Sequence, residues 1–87
     1  MNRKIPLWEI FALGGYCRIE FTTLRTGIRD SVELINSDDI NLFLRAQTLL
    51  IESVDFWCKG RRLKPIYNKE GGIEGAQELR ERREREA

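Results

Sequence analysis

Two stretches in the N-terminal half alternate apolar and polar residues with the two-residue period of a half-buried strand. Cys17, Ile19, Phe21 and Thr23 interleave with Arg18, Glu20 and Thr22. Beyond Gly27, Ile28, Val32 and Leu34 interleave with Arg29, Ser31 and Glu33. A tight turn at Thr26-Gly27 joins the two as a hairpin, with Phe21 facing Val32, Ile19 facing Leu34 and Thr22 facing Ser31. A one-residue slip would set the apolar side against the polar one, so the pattern specifies the faces. Two blemishes remain: Asp30 falls on the apolar side, and Glu20 meets Glu33, a like-charge pair.

Residues 5–13, IPLWEIFAL, end at Gly14-Gly15 and admit two readings. As a helix, the segment has Pro6 in its first turn and a glycine as C-terminal cap. As a strand, it turns at Gly14-Gly15 and sets Trp8 opposite Phe21, Ile10 opposite Ile19 and Ala12 opposite Cys17. Periodicity does not separate the two in so short an apolar run.

Asn36-Ser37-Asp38-Asp39 has the chemistry of a helix start: a side-chain oxygen for the free amides and two carboxylates at the positive end of the dipole. The pattern predicts one long helix from about residue 38 to Lys59, stopped at Gly60. Its polar residues, Asn41, Arg45, Thr48, Glu52, Asp55 and Lys59, recur at alternating spacings of four and three. On a helical wheel they fill an arc of roughly 80° and leave most of the circumference apolar. That is more apolar surface than one small sheet covers; residues 1–15, if helical, are one candidate cover, and a second copy or a stable protein partner is the expected one.

Residues 59–69, KGRRLKPIYNK, carry five positive charges and no acidic residue. Pro65 confines any strand there to an edge or a loop. The tail from Ile73 is helix-prone, and i,i+4 pairs such as Glu78–Arg82 and Glu81–Arg85 support a solvated helix.

The expected architecture is therefore α+β. A small antiparallel meander of two or three strands packs on one long central helix, and a charged C-terminal helix follows. Residues 1–72 form the single domain and residues 73–87 the helical tail.

Composition narrows the function classes. The chain has 87 residues, enough for one domain, with 15 Lys+Arg against 14 Asp+Glu and a net charge of +1. No global charge drives binding to nucleic acid or membrane. Charge is nonetheless segregated, with an acidic middle between a basic N-terminal third and the basic 59–69 stretch. Histidine is absent, which removes histidine-dependent triads and His-containing metal sites. Cys17 and Cys58 have no metal-ligand spacing and read as small apolar residues of a reducing, cytoplasmic protein. The apolar N-terminal run is interrupted by Pro6 and Glu9 and is too short to span a membrane. Gly14-Gly15 lacks the flanks of a phosphate loop. Carboxylates cluster at Asp30, Glu33, Asp38 and Asp39, a set that in principle suits Mg²⁺, but capping and strand exposure account for them. No catalytic residue, metal or cofactor is expected.

Interaction remains. Trp8, Phe43, Phe56 and Trp57 are the side-chain types that anchor protein interfaces, and each is equally a core type. The expected function is that of a small non-enzymatic regulatory protein, of inhibitor type, that occupies a macromolecular partner's surface, as a homodimer. The alternative is a nucleic-acid-binding protein using Lys59, Arg61, Arg62, Lys64, Tyr67 and Lys69.

Overall fold

A computed structural model of the chain describes residues 4–78. Its elements are, in order, β1 (Lys4–Pro6), α1 (Leu7–Ala12), β2 (Tyr16–Thr23), β3 (Arg29–Leu34), α2 (Ser37–Arg45), β4 (Leu49–Cys58), β5 (Arg61–Tyr67) and β6 (Ile73–Glu78). All six strands join one sheet in the order β1-β6-β5-β4-β2-β3, and every pairing is antiparallel. The expected two- or three-stranded meander on a long central helix is thus corrected to a six-stranded sheet with two short helices.

The long helix fails at Arg45. Its start is as expected: Asn36 Oδ1 accepts from the Asp38 amide at 2.7 Å and the Asp39 amide at 3.4 Å. Of the expected helix only Ser37–Arg45 are helical, and Leu49–Cys58 form a ten-residue strand. Val54, Phe56 and Cys58 point inward, while Ser53, Asp55 and Trp57 point the other way. A two-residue turn closes this strand onto β5, with Lys59 at φ 54° and Gly60 at φ 76°. Both central residues at positive φ are what such a hairpin turn needs, so Gly60 ends a strand and not a helix. The apolar helical circumference that called for a covering partner therefore does not exist.

The β2–β3 hairpin forms with the expected faces but a register two residues away. Phe21 lies opposite Asp30, Ile19 opposite Val32 and Cys17 opposite Leu34. A shift of two preserves every side chain's face. It also removes the Glu20–Glu33 clash: Glu20 now meets Ser31, and Glu33 meets Arg18. The loop is longer than a two-residue turn, since the Thr23 amide bonds the Ile28 carbonyl at 2.9 Å and Gly27 takes φ 74°.

Residues 5–13 resolve into a three-residue strand followed by the helix α1. The first six residues of the expected helical tail form β6, between β1 and β5. Gly75 lets β1 approach there: a Cβ on it would sit 2.6 Å from the Ile5 carbonyl oxygen. Residues 79–87, and with them the pair Glu81–Arg85, lie outside the described residues. Pro65 does not confine its strand to an edge: β5 lies between β4 and β6, and Pro65 sits just past Leu63, where β4–β5 pairing ends, so its missing N–H breaks no bond on that side.

Both helices cover one face of the sheet. Phe11 of α1 packs on Phe56 with ring centroids 6.5 Å apart, and Phe43 of α2 packs on Phe21 at 5.2 Å. Between sheet and helices lie Leu7, Ile10, Cys17, Ile19, Ile40, Val54, Phe56, Leu63 and Ile73. Among the described residues, no helix covers the opposite face, termed the open face. Its cross-strand neighbours include Tyr16, Trp57 and Arg62 in one row and Arg18 beside Asp55 in the next.

Candidate interaction surface

The side chains singled out as interface anchors part company. Phe56 is wholly buried, and Phe43 is half-buried against Phe21, so both serve the core. Trp57 is half-buried on the open sheet face beside Tyr16. Trp8, on the solvent side of α1, is 71 % exposed.

The basic set is dispersed. Arg62 and Lys64 lie on the open face, and Arg61 lies on the other side of β5. Lys59 and Lys69 occupy the turns at the two ends of this seven-residue strand, roughly 20 Å long. Arg61 is tied to Glu78. Arg62 donates through Nε at 3.1 Å and Nη2 at 3.0 Å to Asp55 Oδ1. Tyr67 is half-exposed, and burial followed by the Cys17 charge pushes its phenol upward from the ordinary 10.0.

The acidic residues also separate. Asp38 and Asp39 stand in the first turn of α2, while Asp30 and Glu33 belong to β3. Among the described residues no three His, Cys, Asp or Glu side chains converge as a metal set. Cys17 and Cys58 are free and buried. Burial, followed by the Asp55 charge, pushes the Cys17 thiol up to about 12, which keeps it protonated and a poor nucleophile at neutral pH. No helix among the described residues is long and apolar enough to cross a membrane.

What the sequence reading did not single out is the side of β3 that faces away from β2. The sheet has two edges, and they differ. β1 contains Pro6 and has Lys4 bonded to Glu74 at 3.1 Å. Such an edge offers little to a further strand. β3 is six residues long, lacks proline, and among the described residues pairs on one side only. Antiparallel pairing alternates, so every second residue turns its main-chain groups away from the partner strand. The Thr23–Ile28 bond sets the phase. Phe21–Asp30, Ile19–Val32 and Cys17–Leu34 are the bonded pairs, and Arg29, Ser31 and Glu33 direct their amides and carbonyls to the open side. One of these amides is occupied from within the strand: the Ser31 N–H donates to Asp30 Oδ1 at 2.7 Å. The turn beside this edge exposes Leu24 and Ile28, the latter at 62 %. The alternation of β3 was readable in the sequence, but its place at the sheet's rim was not. That place depends on β4 pairing with the other side of β2.

No family model, no curated protein and no solved structure matches this chain.

Proposed function

We propose that this chain is a small non-enzymatic interaction protein that works by pairing the open side of β3 with an extended segment of a protein. The observation that carries this reading is the row of outward main-chain groups on Arg29, Ser31 and Glu33, in a six-residue strand without proline or bulge. Strand addition supplies main-chain hydrogen bonds for affinity and alternate side chains for selectivity. The charges on Arg29 and Glu33 then discriminate among incoming segments, because a like charge placed opposite either one repels.

Amide hydrogen exchange on isotope-labelled protein in an extract of its native host tests this. An occupied edge slows exchange at Arg29, Ser31 and Glu33 and leaves Asp30 and Val32, already bonded to β2, unchanged. If the three outward amides exchange as fast as they do in dilute buffer, the reading fails. Ser31→Pro is the companion variant. It removes the central outward donor without taking a bond from the β2–β3 ladder, and so abolishes the slowing.

A second reading, nucleic-acid binding, has the open sheet face in its favour: Tyr16, Trp57 and Arg62 stand in one cross-strand row, with Arg18 and Lys64 nearby. It is the weaker reading because Asp55 holds Arg62 and Glu20 lies 3.5 Å from Arg18. Salt-dependent retention on a nucleic-acid column that Arg61→Glu with Arg62→Glu abolishes would favour it. Retention unchanged by that double substitution would dismiss it.

A further inference from the structure

We infer that the extended segment taken by the β3 edge is the β3 of a second copy, joined antiparallel with Ser31 on the two-fold axis. This rests on the reading of β3 as the working edge and names its occupant.

The argument is one of register. Outward residues must oppose outward residues, so only pairings among Arg29, Ser31 and Glu33 make hydrogen bonds across the new junction. With Ser31 opposite Ser31 of the other copy, Arg29 falls opposite Glu33 and Glu33 opposite Arg29. All three outward residues are then bonded, and both ion pairs lie on the open face of the sheet. On the helix-covered face, Ile28 falls opposite Leu34, which gives the exposed Ile28 an apolar partner. Sliding by two residues in either direction breaks both ion pairs and leaves either Arg29 or Glu33 beyond the paired residues. Self-complementarity is what a two-fold interface requires, because the same patch must serve both copies. The product is one continuous sheet running β2-β3-β3-β2 through the junction.

Asp30 acts against this junction. In the single chain its carboxylate occupies the Ser31 amide, the donor nearest the two-fold axis. A second copy must displace it, and Asp30 then stands opposite Val32. Asp30 is therefore a latch that holds the edge shut at low concentration. One strand pair is also small for a protein interface, so dissociation on the order of micromolar is expected.

Sedimentation equilibrium with charge-exchanged variants tests the register. Arg29→Glu leaves two acidic residues at each ion-pair position, and Glu33→Arg leaves two basic ones. Each variant alone dissociates about tenfold more readily than wild type. Mixed in equal amounts, the two form a heterodimer, since every pair is then opposite in sign. Asp30→Ala tightens the wild-type dimer a few-fold, the reverse of an ordinary alanine substitution in an interface. Circular dichroism confirms that the variants are folded. If one of them is not, the double variant Arg29→Glu with Glu33→Arg, which restores every pair within one sequence, dimerises as wild type does.

A concentration-independent monomer of about 10 kDa would overturn the proposal. So would variants that dimerise as wild type does, alone and mixed. The broader reading of β3 is judged separately by exchange in host extract: a monomer whose outward amides slow there keeps the edge and loses only the second copy.

Discussion

Asp30 Oδ1 accepts the Ser31 amide at 2.7 Å, at the one place on β3 where that amide faces away from the sheet. The two residues are neighbours in sequence and point to opposite faces. The carboxylate therefore reaches around the rim of the sheet to fill a main-chain donor that has no strand beside it. A charged residue that covers an open edge is a familiar guard against unspecific pairing. This latch makes the outward amides unequal.

That inequality is measurable. In dilute wild-type protein, the Ser31 amide is expected to exchange more slowly than those of Arg29 and Glu33. Asp30→Ala should bring Ser31 to the rate of the other two and leave Val32, bonded to Ile19, unaffected. Hydrogen exchange by NMR reads all four in one experiment.

The core should respond where the sheet and helices meet. Phe56 is wholly buried and packs on Phe11, so Phe56→Ala is expected to cost about 3–5 kcal/mol. Leu50 is half-exposed on the open face, and Leu50→Ala should stay within about 0.5 kcal/mol. Urea unfolding followed by circular dichroism separates the two. Equal losses would mean that β4 is not oriented as described.

Gly75 tests the docking of β1. An added methyl there meets the Ile5 carbonyl oxygen at 2.6 Å, which backbone alone must relieve. Gly75→Ala is expected to destabilise by about 1–3 kcal/mol. Exchange at β1 should rise more than exchange at β2 and β3.

Alkaline stability carries the signature of Cys17. Burial, with the Asp55 charge, raises its thiol from the ordinary 9.0 to about 12 in the folded chain. The unfolded chain therefore loses this proton first as pH rises. The stabilising contribution is complete below pH 9 and is lost between there and about 12. Cys17→Ser or Cys17→Ala should flatten the decline in unfolding free energy over that window, as measured by urea titrations at successive pH values. The raised phenol of Tyr67 acts in the same direction.

Local signals in the chain were readable where one physical cause dominated. The alternation in 17–23 and 28–34 fixed which faces are buried, and Asn36 declared the start of α2. The misread elements are those where two periods coincide. Asn41, Arg45, Thr48, Glu52 and Asp55 recur at helical spacing. The run Ser53 to Cys58 meanwhile alternates as a strand, and the turn Lys59-Gly60 serves either reading. Tertiary pairing decided between them: β4 lies between β2 and β5, where a helix has no place. β6 was hidden for another reason. Gly75 and Ala76 are poor strand formers, and at Gly75 the backbone of β1 comes too close for a side chain. The edge position of β3 was illegible because it follows from the order of the whole sheet and not from β3 itself.

The most direct test of the claim that β3 is where this chain associates is amide exchange along that strand over a hundredfold or so range of protein concentration, spanning the micromolar dissociation expected of so small an interface. The account expects Arg29, Ser31 and Glu33 to slow together as concentration rises, while Asp30, Val32 and Leu34 hold constant. Outward amides whose rates are the same at every concentration would contradict it.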